Sequence, residues 1–425
     1  MNAAGNAVSL AALKRRAMSL GAVKAFDHFI QLLLPVVLVR CLDTATFGEY
    51  RLLWLAVGTI MTFATLNMVG TLYYFVPRSD ARGKRLYIHQ TMLYLALAGL
   101  VCGFMLSPWN ALLPAAMHPL AQYGWLVPAF IALWVFAFLL DYLPSIDESI
   151  SWQAYAMLTV STLRVLLVAG GAWLTADLGV IFALLLVLVL IKVALLLYYV
   201  WRRHGLGPPW FERAAFSELV RDSAPLGASN ALHGARTQAD QWVVASLFTV
   251  SSFAAFSIAA HVVQIMIILR GAVVQAFLPS MSRLQAAGDL PGVFGMNSRG
   301  NAIVGSLLYP ALAFVFVFTE EIVTLVYTAS YLDAVAVIRV QIIGVLPMAI
   351  ETASMVILLR RGAFALLLTG VTLVLSVALS LSAALQFGLA GAAAGGVVAV
   401  YVDRLLMMRH LARHTGIPLR RRSLG

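Results

Sequence analysis

Twelve apolar stretches of about 20 residues run through the 425-residue chain, and they restrict its fold more than any motif does. They lie at 20–39, 52–76, 87–106, 123–140, 152–174, 178–200, 223–247, 253–277, 301–318, 335–358, 363–385 and 388–408. Lipid offers no partner to a bare backbone N–H or C=O, so each stretch predicts a transmembrane helix whose hydrogen bonds close within itself. The fold expected is all-α integral membrane, about twelve transmembrane helices in two parallel-repeat six-helix bundles around a central cavity. Composition agrees: 11% of the residues are charged, against about a quarter in a soluble domain. The segment before the first stretch holds Lys14, Arg15 and Arg16 but no small-residue cleavage site, so no cleaved leader is expected. Cys41 and Cys102 are too few for a disulfide framework and read as free thiols, a single bridge between them being the alternative.

The net charge of +11 invites a nucleic-acid reading until the cations are located. With the N-terminus inside, 20 of the 29 Lys and Arg residues fall in cytoplasmic segments, only Arg40 and Arg51 outside, and seven within the spans. That asymmetry is the positive-inside signature, and it orients both termini to the cytoplasm. One cytoplasmic loop, 141–151, carries Asp147 and Glu148 and no cation, which matters little because acidic residues weigh weakly in the rule.

Two corners of the chain are alike. In 38–50 and 243–256, with one residue inserted, Leu42 matches Leu247, Phe47 matches Phe253 and Tyr50 matches Phe256. Both following spans end in Phe-x-Pro, at Phe75 and Pro77 and again at Phe277 and Pro279. Six spans separate the copies, so the halves are parallel repeats. The expected division is an N-terminal bundle at 1–205, a cytoplasmic linker at 206–222 with Gly207, Pro208 and Pro209, and a C-terminal bundle at 223–425.

No Gly-x-x-x-x-Gly-Lys-Ser/Thr loop, His-Glu-x-x-His pair or Gly-x-Ser-x-Gly elbow occurs, and no cytoplasmic segment is large enough for a nucleotide-binding domain. ATP hydrolysis, a nucleic-acid partner and a protein-bound metal are not expected. Gly388, Gly391, Gly395 and Gly396 sit in an apolar helix, where small residues let helices pack closely. Asp43 and Glu49 in the first external loop could form an enzymatic pair, but a corner-capping role is the plainer reading.

Charges inside the spans carry the functional reading, since an Arg or Lys at mid-bilayer costs on the order of 3 kcal/mol and must face protein or water. Lys24, Arg164, Lys192, Arg236, Arg270, Arg339 and Arg404 stand against Asp27, Asp240, Glu351 and Asp403. A wet cavity with that surplus attracts anions, and the planar fork of Arg suits phosphate. Arg164, Arg236, Arg270 and Lys24 are the expected cationic lining. Lys192, Asp403 and Arg404 lie near the cytoplasmic end and are expected to snorkel, as is Arg339 at the outer surface. Lys24 with Asp27 and Arg236 with Asp240 are spaced to pair on their own helices. Asp27, His28 and Gln31 form a polar face on the first span, and His233, Arg236 and Asp240 one on the seventh; these faces, with Glu351, are candidates for ion coupling. Pro35, Pro128, Pro225, Pro310 and Pro347 interrupt spans and can bend them.

Three segments resemble the polysaccharide-transport (Wzx-type) flippases of the MATE-like multidrug/oligosaccharidyl-lipid/polysaccharide exporter superfamily. In 318–340, Ile322, Leu325, Tyr327, Tyr331, Ala334 and Arg339 fall where that family's pattern expects them, with Thr328 in place of a usual Gly. The stretch 277–289 is similar to the family's Pro, small-residue and Gly-Asp passage, and Leu42, Phe47, Gly48 and Tyr50 match its first corner. The resemblance implies a non-enzymatic flippase of the bacterial inner membrane, moving an undecaprenyl-diphosphate-linked oligosaccharide by alternating access. It also implies coupling to an H+ or Na+ gradient, although the eleventh span holds no carboxylate. A polysaccharide polymerase and export proteins would be its partners. Three alternatives stay open at this point. The first is a major-facilitator transporter, whose loop motif is matched in 76–85 by Asp80, Gly83, Lys84 and Arg85; the others are a MATE-like multidrug exporter and a membrane glycosyltransferase or polymerase.

Overall fold

A computed structural model describes residues 26–27, 29–350, 353–359 and 362–415. Among them every regular element is helical. The chain divides into two compact units, Met1–Ala231 and Leu232–Gly425.

Unit 1 is built from α1 (Phe29–Cys41), α2 (Thr44–Ala64), α3 (Met68–Arg78), α4 (Ala81–Met105), α5 (Leu126–Ile146), α6 (Ile150–Thr175) and α7 (Leu178–Arg203). Helices α4 to α7 are each long and apolar enough to cross a membrane. Aspartates start three of the unit's helices: Asp43 accepts from the Ala45 and Thr46 amides, Asp80 from Gly83 and Asp177 from Gly179, each meeting donors that a helix start leaves unpaired. Helices α2 and α3 together form one crossing bent by 46°. None of the expected prolines makes that bend. Leu66 and Asn67 take left-handed conformations, φ 43° and 57°, which Asn tolerates better than most residues. The Ala64 carbonyl freed at the break accepts from the Tyr94 hydroxyl at 2.9 Å. Gly227 packs directly on the Leu66 backbone, where a Cβ would collide.

The core of unit 1 gathers Met68, Leu72 and Phe75 from α3, Ile88 and Leu95 from α4, Leu139 and Leu143 from α5, and Leu196 and Val200 from α7. A second centre stacks Tyr50, Trp54, Phe130 and Trp134 edge to face. The chain leaving α7 is strapped back onto α4. Arg85 donates to the His204 carbonyl at 2.7 Å, Gln90 to that of Glu212 at 2.7 Å, and the buried His89 ring faces the Gly205 and Pro209 carbonyls at 3.2 and 3.1 Å. Asp147, with no cation in its own loop, meets His204 at 2.7 Å and Tyr199 at 2.9 Å. Residues 206–212 are therefore irregular chain held to unit 1, and from Arg213 the rest of the expected linker is helical.

Helix α8 (Arg213–Leu247) continues into unit 2, which adds α9 (Val250–Ala286), α10 (Leu290–Val317), α11 (Thr319–Tyr327), α12 (Ala334–Ala349), α13 (Ala353–Leu358) and α14 (Gly362–Thr415). At 54 residues α14 is about 80 Å long, more than twice the hydrocarbon thickness. It breaks at Gly388, φ 66° and ψ −146°, and so supplies the last two crossings. Thr249 opens α9 by accepting from the Ser252 amide, as Asp43 opens α2, so the two similar corners share a cap. The Gly run packs closely as its composition implies: a Cβ on Gly395 would strike the Ser380 backbone. Cys41 and Cys102 are free thiols.

Candidate functional site

Along α6, Gln153, Ala156, Met157, Val160, Ser161 and Arg164 recur at helical spacing, so they share one face. That face lines a cavity of about 340 Å³ inside unit 1, closed by Asp27, Gln31, Tyr73, Trp134, Asp141, Tyr142 and Lys192 among others. Two ion pairs stand in it. At one end the Asp27 carboxylate accepts from Gln31 at 2.7 Å and from Ser161, and lies 3.9 Å from an Arg164 terminal nitrogen. The Arg164 guanidinium rests 5.7 Å over the Trp54 ring, and its Nε is buried without a hydrogen-bond partner. At 3.9 Å this is an ion pair with no hydrogen bond, which leaves the Arg164 donors unused.

At the other end Lys192 does not snorkel. It is 3% exposed, donates to Asp141 at 2.8 Å and holds its ammonium 4.6 Å from the Trp134 ring. The cause is a 3-10 turn at Phe138–Asp141 that interrupts α5 and turns the Asp141 carboxylate inward. Gln153 donates to the Leu140 and Asp141 carbonyls exposed by the turn.

Unit 2 resolves its charges differently. Arg236 does not pair with Asp240 four residues on; it lies 3.8 Å from Asp403 on α14, which consequently does not snorkel either. Asp240 instead accepts from Ser376 at 3.0 Å and Ser380 at 2.8 Å. Gly396 packs against the same carboxylate. His233 is exposed on α8. Arg339 donates to the Phe316 carbonyl at 3.3 Å. Arg270 lies within α9, where the backbone alone is described; Lys24, His28 and Glu351 lie outside the described residues.

Residues 149–336 match the family described as polysaccharide biosynthesis protein. The family segment contains Gln153, Ser161, Arg164, Lys192, Arg236 and Asp240, and leaves Asp27, Ser376 and Asp403 outside it. No curated protein sequence matches the chain. Among solved structures, an inward-facing multidrug resistance MATE family transporter of the MOP superfamily is 15% identical with TM-score 0.71, covering 92% of this chain and 96% of its own. The lipid II flippase MurJ, inward closed, is 13% identical with TM-score 0.70, covering 94% and 88%. The MATE multidrug transporter DinF-BH, solved in complex with a ligand, is 15% identical with TM-score 0.63, covering 94% and 95%. At these identities the likeness is one of fold. The chain is a multi-pass membrane protein on the MATE and MurJ architecture, and the loop at 76–85 gives no major-facilitator fold.

Sequence reasoning missed Asp141 and Lys192 as partners, and Ser161, Ser376 and Ser380 as carboxylate ligands. The separation of Asp141 and Lys192 along the chain hid the pair. The hydroxyls carried a usable signal: Ser161 shares the helical face of Arg164, and Ser376 and Ser380 are four apart in the carboxylate-free eleventh span.

Proposed function

We propose that this protein flips an undecaprenyl-diphosphate-linked oligosaccharide repeat unit from the cytoplasmic to the periplasmic leaflet of the bacterial inner membrane, for O-antigen, capsule or exopolysaccharide synthesis. The supporting observation is Arg164, a mostly buried guanidinium on a cavity wall whose only described carboxylate partner is at 3.9 Å. A phosphate oxygen can take up the unused donors in the bidentate geometry Arg favours. Arg236, Arg270 and Lys24 complete the proposed anion-binding set, acting as the two halves, 1–205 and 223–425, alternate access about the link at 206–222.

Asp27 and Arg164 also supply a coupling rule. Protonating Asp27 removes the charge opposite Arg164, so proton uptake and anion binding favour each other. His28, His233, Asp240 and Glu351 are proposed to serve the H+ or Na+ coupling. The cycle needs no ATP and makes or breaks no covalent bond in the substrate. Both termini are cytoplasmic in this reading, and the flipped unit is passed to a polymerase and export proteins.

The test is movement of fluorescent polyprenyl-diphosphate-linked sugar across proteoliposomes, run beside polysaccharide export in cells. Arg164→Ala, Arg236→Ala and Arg270→Ala are each expected to abolish export with membrane insertion intact. Unimpaired export in all three removes the proposed role, and transport of a cationic dye in place of the lipid-linked sugar makes the protein a multidrug exporter.

A further inference from the structure

The cavity of unit 1 continues past the Arg164 end. Gln153 lies 11 residues before Arg164 on the same face of α6, about 16 Å along the axis. There two polar side chains are almost wholly buried, Gln153 at 1% exposure and Lys192 at 3%. Gln153 spends its Nε2 on the Leu140 and Asp141 carbonyls, and its Oε1 is buried with no hydrogen-bond partner. Buried acceptors of this kind are uncommon in folded proteins and ask for a donor. Lys192 gives one N–H to Asp141 and has two further donors. The Asp141 side chain is 36% exposed and keeps free lone pairs. An acceptor, a donor and a second acceptor thus stand together, walled by the rings of Tyr73, Phe138 and Tyr142.

Charge narrows what can fit. Lys192 is matched by Asp141, and Arg164 by Asp27, so the described lining carries no surplus of either sign. A carboxylate ligand at the Gln153 end would meet the Lys192 ammonium only beside the Asp141 carboxylate and an amide oxygen, and an organic cation would meet Asp141 only beside that ammonium, so neither charge gains what a neutral hydroxyl does. A hydroxyl both donates and accepts, and the C–H face of a sugar ring lies against aromatic carbon without an electrostatic penalty. The volume, about 340 Å³, is that at which pockets begin to hold small organic ligands.

We infer that the Gln153, Lys192 and Asp141 end of this cavity binds an uncharged sugar ring, a neutral hexose or N-acetylhexosamine, as the first saccharide of the transported lipid. The inference rests on the flippase reading, in which the diphosphate sits at Arg164 and the sugar chain trails toward the start of α6. Recognition is by hydroxyl pattern, so the site discriminates against uronic acids at that position.

Full-length protein in nanodiscs is titrated with three synthetic polyprenyl diphosphates, carrying no sugar, one N-acetylhexosamine or one hexuronic acid. The wild type is expected to bind the N-acetylhexosaminyl lipid about tenfold more tightly than the sugar-free lipid, and the uronic lipid no better than the sugar-free one. Gln153→Leu and Lys192→Met are each expected to lose that ratio while still binding the sugar-free lipid; if one does not fold, the other decides. A ratio unchanged in the folded variants overturns the sugar site and leaves the flippase reading standing. Equal or greater gain with the uronic lipid overturns it too, as does binding of a cationic rhodamine dye that both variants abolish. Failure of the wild type to bind any of the three lipids defeats the flippase reading, and the sugar site with it.

Discussion

Each unit sets an aspartate on its first membrane helix against serine from its fifth, one hydroxyl for Asp27 and two for Asp240, yet the two carboxylates end in opposite electrostatic settings. In unit 1 Asp27 has Ser161, Gln31 and the loosely held Arg164, all on a cavity wall. In unit 2 Asp240 has two serines and a glycine against it, while Arg236 has turned to Asp403. A guanidinium beside a carboxylate makes a site where a bound anion and the carboxylate charge compete, so that anion and proton are taken up together. A carboxylate wrapped in hydroxyls keeps its own charge problem, which only a proton or a small cation relieves. Under the proposed function, unit 1 supplies the anion-handling corner and unit 2 a carboxylate whose charge a proton or a small cation would relieve.

The largest effect that could break this contrast is on transport. Arg164→Ala should lower lipid-linked sugar movement about 100-fold, the loss of one or two charge-assisted hydrogen bonds. It should also lower thermal stability, because Asp27 is left without its cation. Adding Asp27→Asn should restore the melting temperature but not the transport. If the double variant transports like the wild type, unit 1 is not the anion-handling half. Next comes packing around Asp240. Gly396→Ala drives a Cβ into the carboxylate and should cost about 2 kcal/mol. Gly170→Ala in unit 1 meets nothing within 4 Å and should be neutral or stabilising by about 0.5 kcal/mol. Denaturation of both proteins in detergent compares them directly.

Left-handed backbone occurs in both units, at Leu66, Asn67, Glu148 and Ala176 in unit 1 and at Thr328 in unit 2. Thr328 holds φ 82° and ψ 160°, a region essentially reserved for glycine. It is the position at which the polysaccharide-transport flippases usually carry Gly. Thr328→Gly should therefore stabilise the protein by about 1 kcal/mol, read as a rise in melting temperature; a fall would mean that the threonine side chain contributes more than the strain costs. The smallest effects concern the two capped corners, where Asp43→Ala and Thr249→Ala should each cost about 0.5–1 kcal/mol. Only the first should depend on pH. The Thr46 amide and hydroxyl hold the Asp43 carboxyl below its usual pKa. Its contribution is therefore complete above about pH 4 and fades as the pH falls through the lower folded value. Melting curves at pH 7 and pH 3 should differ for Asp43→Ala and coincide for Thr249→Ala, each relative to wild type.

Hydrophobic run length makes the helices legible, and the corner at 38–50 with its echo at 243–256 makes the repeat legible down to a shared cap. Charge partners are legible in type and not in address. Spacing of three or four along a helix suggests Arg236 with Asp240, but in the bundle a side chain can also reach a neighbouring helix, and Asp403 lies there. Lys192 reads as a surface cation because its distance from a helix end says nothing of a 3-10 turn that swings Asp141 inward. The break at Leu66 and Asn67 leaves less trace still: prolines advertise a bend, whereas a left-handed pair needs no residue that is rare within a span.

That break has a mechanical corollary. A proline ring clashes permanently with the preceding turn, so a crease made by one stays creased. Leu66 and Asn67 carry no such obstruction, and rotating two residues back to right-handed geometry would turn a pair of half-length rods into one straight rod. The Tyr94 phenol would then lose its carbonyl and Gly227 its seat on the Leu66 backbone, so those two contacts hold the bend where a proline ring otherwise would.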